Sequence, residues 1–171
     1  MFSRVKRAWA VWMLANSSYG AKLNNSFGFD RNGKISQRLN NKRNSFEADY
    51  AIRLQNTTIE CCDALRIIQT YNTAGTFFYC DPPYVGADQG HYDGYTQDDF
   101  DRLLDILSKL DGKFLLSSYR NPALTEYIEK YKWESVEIRM NLSMALRYQN
   151  KRQKVEVLTA NYPIKDRIRV E

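Results

Sequence analysis

The spacing of hydrophobic and polar positions changes near residue 58. Before that point, apolar residues between Val5 and Met13 recur at intervals of three and four, which predicts an amphipathic helix over residues 3–16. A second, shorter helix is predicted over residues 46–54. After residue 58, short apolar runs alternate with segments of helical period. The chain therefore combines two styles of sequence.

The second part of the chain reads as alternating strands and helices. The pattern predicts strands over residues 58–61, 76–80, 113–117, 135–140 and 154–159, and helices over residues 64–70, 97–110 and 122–131. Such alternation favours an α/β fold with a mostly parallel sheet and helices on both faces. We expect two domains: a basic target-recognition segment over residues 1–57, largely helix and loop, and a catalytic part over residues 58–171.

The net charge of the 171 residues is only +5, but its distribution is uneven. Residues 1–43 hold nine Lys or Arg and one acid, and residues 139–154 hold five Lys or Arg and no acid. This asymmetry indicates a polyanionic partner, most simply double-stranded DNA, although a solvated basic surface would have the same composition. The candidate nucleic-acid-binding residues are Arg4, Lys6, Arg7, Arg31, Lys34, Arg38, Lys151 and Arg152.

Several protein classes are excluded by composition. The three cysteines, Cys61, Cys62 and Cys80, have no CxxC spacing, and His91 is the single histidine, so we expect neither a disulfide framework nor a metal site. Reduced, buried cysteines and a cytoplasmic location are the simplest interpretation. No apolar run approaches the roughly 20 residues of a membrane helix.

The residues with the clearest chemical meaning are Asp81, Pro82, Pro83 and Tyr84, directly after the apolar run TFFYC. Open α/β sheets bind ligands at the carboxyl ends of their strands. The carboxylate of Asp81 and the carbonyl of Pro82 could accept the two hydrogens of an exocyclic amine, whose nitrogen is otherwise a weak nucleophile. Tyr84 offers a ring on which an extruded base could stack, a role that does not need its hydroxyl. A plain proline turn after a strand is the structural alternative.

In the order of its motifs, the chain resembles the DNA adenine N6-methyltransferases (the DNA adenine methylase family). The matching segments are residues 59–63 (IECCD), 78–84 (FYCDPPY), 92–96 (YDGYT), 114–119 (FLLSSY) and 154–162 (KVEVLTANY), with a weaker match over residues 16–29. The resemblance implies a partial Rossmann-like methyltransferase sheet, S-adenosylmethionine as methyl donor and adenine N6 of double-stranded DNA as acceptor.

The same resemblance implies roles for single residues. Asp81 would accept from the target amine and lie close to the amino-acid end of the cofactor, Pro82 would offer its carbonyl, and Tyr84 would stack on the flipped adenine. Asp63 or Cys62 would lie near the adenine moiety of the cofactor. Asp63 also directly precedes a predicted helix, so an N-cap is an equally good interpretation, and the two roles are compatible.

One family feature is missing from the sequence. Family members carry a Phe-x-Gly-x-Gly element on the first strand, and here no two glycines have G-x-G spacing. Gly86, Gly90 and Gly94 recur after the motif and suit a loop that closes over the site. We therefore expect a fragment or one half of a split enzyme, whose exposed sheet edge seeks a partner chain or a second copy. A non-catalytic nucleic-acid-binding remnant is the main alternative, and methylation of an amine or amide in RNA or protein is a third.

Overall fold

The structure, a computed structural model, describes residues 3–18, 31–46, 48–85, 94–140 and 154–166. Its elements in chain order are α1 (Arg4–Ser17), α2 (Lys34–Asn44), α3 (Asp49–Leu54), α4 (Ala64–Thr70), β1 (Phe77–Cys80), α5 (Gln97–Leu107), β2 (Lys113–Tyr119), α6 (Pro122–Tyr131), β3 (Glu134–Met140) and β4 (Lys154–Ala160). The chain divides into two compact units, residues 1–60 and 61–171. No helix of the described part is long and apolar enough to cross a bilayer.

The first unit contains the three helices α1, α2 and α3. Two cations of α2 hold the end of α1: the Arg38 guanidinium donates to the carbonyl oxygen of Asn16 at 3.1 Å, and the Lys42 ammonium donates to its side-chain oxygen at 2.7 Å. Cations are favoured at this end because unpaired carbonyls of a helix C-terminus carry partial negative charge. The helix predicted over residues 3–16 is confirmed as α1.

The second unit is built on a four-stranded sheet with the order β1-β2-β4-β3. β1 and β2 are parallel, whereas β4 is antiparallel to both β2 and β3. The α/β class is confirmed, but the prediction of a mostly parallel sheet is wrong for the described strands. The error has a simple cause: β1, β2 and β3 do run in the same direction, and the reversed strand β4 lies between β2 and β3, which turns two of the three pairings antiparallel.

The hydrophobic core lies on one face of this sheet. Residues Phe78, Phe114, Leu116 and Val157 share that face through the strand registers, and they pack with the apolar faces of α4, α5 and α6. All three described helices of the unit thus contribute to one core, and the expected second helical layer is not seen among its described residues. Thr96 begins α5 with a capping box, which fixes where this helix starts.

The opposite face of β1 is open. Phe77 and Tyr79 remain 53% and 61% exposed, and β1 ends the sheet, with β2 as its one neighbour among the described strands. Phe77 contacts Tyr162 edge to face at 6.1 Å. The strand predicted over residues 58–61 is wrong: these residues are exposed and belong to no described ladder, so their β-branched side chains have no sheet to join.

Candidate active site

The candidate active site begins where β1 stops. Asp81 follows the last strand residue, and the two prolines after it cannot donate ladder hydrogen bonds. In the parallel register Cys80 pairs with Leu116, while β2 continues for three more residues. The extension therefore carries Ser117 and Tyr119 alongside the segment that contains Asp81. Asp81 itself is exposed.

Tyr84 is tied to both sides of this strand end. Its hydroxyl donates to Oδ1 of Asp81 at 3.1 Å and shares a 2.6 Å hydrogen bond with Oγ of Ser117. Its ring packs edge to face against Tyr119, with centroids 4.6 Å apart. Burial raises the pKa of Tyr84 to about 12. The phenol consequently stays protonated near neutral pH and remains a hydrogen-bond donor.

A cleft of about 700 Å³ opens beside Asp81. Its described lining residues are Asp63, Ala64, Leu65, Asp81, Pro82, Pro83, Gly94, Tyr95, Asp99, Arg102 and Leu103. The cleft therefore joins the motif after β1 with the first residues of α4 and of α5. Of the glycines expected in a closing loop, Gly94 has a φ of +101° and lines the cleft, while Gly86 and Gly90 lie outside the described residues.

Asp63 is both a helix cap and a cleft residue. Its Oδ1 accepts from the backbone N–H groups of Leu65 at 2.9 Å and Arg66 at 3.2 Å, as an N-cap does. Both bonds use the same oxygen, and Oδ2 has no hydrogen bond recorded within the described part of the chain. Cys62, the neighbour with which Asp63 shared the cofactor prediction, is exposed but is not among the described residues that line the cleft.

The start of α5 supplies a wall that sequence reasoning missed. Asp99 accepts hydrogen bonds from the backbone and side chain of Thr96, which lower the pKa of its carboxyl, and Arg102 lies 3.6 Å from it. Burial raises the pKa of Tyr95 to about 12, which keeps this phenol neutral. The Thr96 cap was visible in the sequence, but it does not reveal that α5 lines the same cleft as Asp81.

The cysteines differ from the prediction. Cys61 and Cys62 are exposed, and only Cys80 is partly buried. Cys80 points to the core face of β1, where burial raises the pKa of its thiol to about 11 and keeps it unreactive. Because Cys61 and Cys62 precede α4 outside any described strand, no sheet covers them.

The predicted nucleic-acid-binding residues fall into two groups. The exposed cations of the first unit include Arg4, Lys6, Arg7, Arg31, Lys34 and Arg38. The sequences of α1 and α2 contain no acid, so the five of these cations that lie on the two helices are not neutralised within their own helices, whereas Arg31 precedes α2. Lys151 and Arg152 lie outside the described residues.

Comparison with known proteins adds the family. Residues 10–142 match the D12 class of N6 adenine-specific DNA methyltransferases, a stretch that includes Asp81, Tyr84 and every lining residue of the cleft. The chain belongs to this family. No curated protein matches it closely enough to count as a relative. The methyltransferase match ends before β4, so the strand that reverses the sheet lies beyond the matched residues.

Family membership makes the chain an enzyme of the adenine-specific DNA methyltransferase type. The methyltransferase resemblance read from the sequence is thereby confirmed. Among the described residues, no cluster of three or more His, Cys, Asp or Glu side chains could hold a metal ion.

Proposed function

We propose that the methyltransferase transfers a methyl group from S-adenosylmethionine to N6 of an adenine in duplex DNA at the cleft beside Asp81. The observation that carries this proposal is the position of Asp81: an exposed carboxylate at the carboxyl end of β1 that lines the same cleft as Asp63. The carboxyl end of a parallel strand pair is where open α/β sheets bind their ligands.

In this proposal the motif acts on the target amine. The adenine amine has its lone pair delocalised into the ring and needs both hydrogens accepted before the nitrogen becomes a good nucleophile. Asp81 accepts one hydrogen and the carbonyl of Pro82 accepts the other. Tyr84 stacks on the base after it leaves the duplex, which offsets part of the unstacking cost of a few kcal/mol.

The residues of the cleft fit the cofactor. A volume of about 700 Å³ lies within the usual range for small-molecule sites. Carboxylates of Asp63 and Asp81 can accept from the amine and hydroxyl groups of S-adenosylmethionine, while Leu65, Leu103 and Tyr95 supply apolar contacts. The bound sulfonium would supply the electrophilic methyl group. Residues of the chain would orient it, Asp63 through Oδ2, which is not used in capping α4, and Asp81 through its exposed carboxylate.

The cations of the first unit are proposed to bind the DNA backbone. They are exposed, and all of them except Arg31 lie on helices without acids, so phosphate contacts would not compete with ion pairs inside those helices. Arg38 is already hydrogen-bonded to Asn16, which fixes its stem near the end of α1. We infer that Arg38 contributes less to phosphate binding than Lys34, which is the first residue of the same helix.

The glycine-bearing cofactor element is proposed to come from outside these 171 residues, supplied by a partner chain, because a second copy would have the same sequence without G-x-G spacing. Two observations support this: no G-x-G spacing occurs in the sequence, and β1 has β2 as its one neighbour among the described strands, with Phe77 and Tyr79 exposed. The same observations also suit the alternative of a non-catalytic nucleic-acid-binding remnant. Calorimetry with S-adenosylmethionine separates the cases: binding that requires a partner favours the split enzyme, and binding in no assembled form favours the remnant.

The reaction itself is tested by product identity. The protein, alone and with the chain that co-purifies with it, is incubated with duplex DNA and methyl-labelled S-adenosylmethionine, and the nucleosides are then separated. We expect label in N6-methyladenine. Label in N4-methylcytosine, in RNA or in protein would overturn the proposal.

A further inference from the structure

A chain of hydrogen bonds runs from the interior of the sheet to the exposed carboxylate of the motif. Ser117 is buried on β2, its Oγ lies 2.6 Å from the Tyr84 hydroxyl, and that hydroxyl lies 3.1 Å from Oδ1 of Asp81. Ser117 lies 33 residues beyond Tyr84 in the chain, and the two side chains meet because β2 extends past the end of β1.

The direction of this chain follows from the number of hydrogens available. Tyr84 has one hydroxyl hydrogen, and an ionised carboxylate can only accept, so the hydrogen of Tyr84 points to Asp81. The Ser117 hydroxyl must then donate to the oxygen of Tyr84. The raised pKa of Tyr84 keeps its hydrogen in place near neutral pH.

We propose that Ser117 is a positioning residue that orients the Asp81 carboxylate through the hydroxyl of Tyr84. The serine is held in the sheet, because it pairs with Leu158 of β4 and directly follows Leu116, which pairs with Cys80 of β1. Asp81, by contrast, is exposed and follows the last paired residue of its strand. The carboxylate of Asp81 therefore takes its orientation from the Tyr84 hydroxyl, which is in turn hydrogen-bonded to Ser117.

The hydroxyl of Tyr84 thus has a use that base stacking does not explain. A stacking ring would work equally well as phenylalanine, which is the expectation from sequence alone. If the hydrogen-bond chain orients Asp81, then Tyr84→Phe is costly to catalysis even though the ring remains. This inference rests on the proposed role of Asp81 as acceptor for the target amine.

The adjacent residue provides a matched control. Ser118 is equally buried, and its Oγ has no hydrogen-bond partner recorded among the described residues. Ser118→Ala therefore removes the same group one position along the strand without touching the chain of hydrogen bonds. Ser117→Thr provides the conservative rescue, since it keeps a hydroxyl donor and threonine is well suited to a strand.

The first arm of the test does not depend on turnover. Protein labelled with carbon-13 at the aspartate carboxyl is observed by NMR, and the Asp81 resonance is assigned by its loss in Asp81→Asn. We expect Ser117→Ala and Tyr84→Phe to move this resonance and Ser118→Ala to leave it in place. A resonance that stays put in Ser117→Ala overturns the inference, whether or not the enzyme is active.

The second arm measures methyl transfer. Loss of one hydrogen bond of this kind should lower the kcat of Ser117→Ala about two- to tenfold, with the KM for DNA unchanged. Ser117→Thr should return kcat to within about twofold of wild type, and Ser118→Ala should match wild type. Equal kcat values for wild type and Ser117→Ala would refute the positioning role. A wild-type protein that methylates no DNA would refute the proposed function instead, and the NMR arm would still decide whether Ser117 orients Asp81.

Discussion

Replacement of Asp63 separates its role as a helix cap from its proposed role in cofactor binding. The cap uses Oδ1, and the cleft lies beside the same side chain. Asparagine caps helices as well as aspartate does, so Asp63→Asn should leave the free energy of unfolding within a few tenths of a kcal/mol of wild type. Asp63→Ala loses both hydrogen bonds and should cost about 1 kcal/mol.

The two variants should differ in stability, but both should bind the cofactor more weakly than wild type. With Oδ1 still capping α4, asparagine places an NH2 donor where Asp63 has its second carboxylate oxygen. Hydrogen bonds to a charged group contribute about 1.5–3 kcal/mol, and each 1.4 kcal/mol is about tenfold in affinity. Both Asp63→Asn and Asp63→Ala should therefore weaken S-adenosylmethionine binding about 10- to 100-fold.

Urea denaturation and equilibrium dialysis of the active enzyme with labelled S-adenosylmethionine measure the two effects on the same samples. Asp63→Asn should have the stability of wild type but the weakened cofactor affinity of Asp63→Ala. If Asp63→Asn binds the cofactor as tightly as wild type, Asp63 is a cap alone, and the cleft beside Asp81 loses one of its two proposed cofactor anchors.

Three further outcomes follow from the structure. Gly112→Ala should destabilise the protein by about 1–3 kcal/mol in urea denaturation, because a Cβ at this position would lie 2.5 Å from the carbonyl oxygen of Thr76. Gly75→Ala is the control and should leave stability unchanged, because a Cβ there would meet no atom closer than 4.0 Å. Two backbone N–H groups beyond β4, those of Ile164 and Lys165, lower the pKa of Glu134. The carboxylate therefore stabilises the fold above its ordinary pKa, and this stabilisation is lost as the pH falls through the lowered value. The urea midpoint of Glu134→Gln should consequently fall less between pH 7 and pH 3 than that of wild type. DNA affinity should fall steeply with salt, because log affinity against log salt concentration has a slope of about −0.9 per phosphate contact. Lys34→Gln should make this slope shallower by about one contact. An affinity that does not change with salt would exclude the basic helices as the DNA surface.

The sequence predicted most closely those elements whose ends carry their own signals. The helices α4 and α6 have the predicted bounds, because Asp63 caps one and Asn121 followed by a proline begins the other. The helix α2 was not predicted, since KISQRLNNKRN has no apolar stripe and no buried residue. Its position depends instead on polar contacts to Asn16, which leave no periodic trace in the sequence.

The strand pairing and the complete set of site residues could not be predicted from the sequence, because both depend on contacts between distant segments. Alternation of strands and helices orders the elements along the chain, but it does not say that β4 inserts between β2 and β3. The location of Asp81 at a strand end was predicted from the apolar run and the prolines after it. Ser117 was not predicted as a partner of the motif, because only the register of β1 with β2 brings it to Tyr84.

Activation of the adenine amine by Asp81 is tested by the single-turnover rate of methyl transfer to adenine N6, measured for wild type, Asp81→Asn and Asp81→Ala. Asp81 is exposed and follows the strand, so its removal should leave the unfolding transition unchanged. A preorganised charged acceptor is worth about 10²–10³ in rate, so Asp81→Ala should lose at least that factor, and Asp81→Asn, which keeps one acceptor oxygen, should lose less. A folded Asp81→Ala enzyme that forms N6-methyladenine at the wild-type rate would show that Asp81 does not activate the amine.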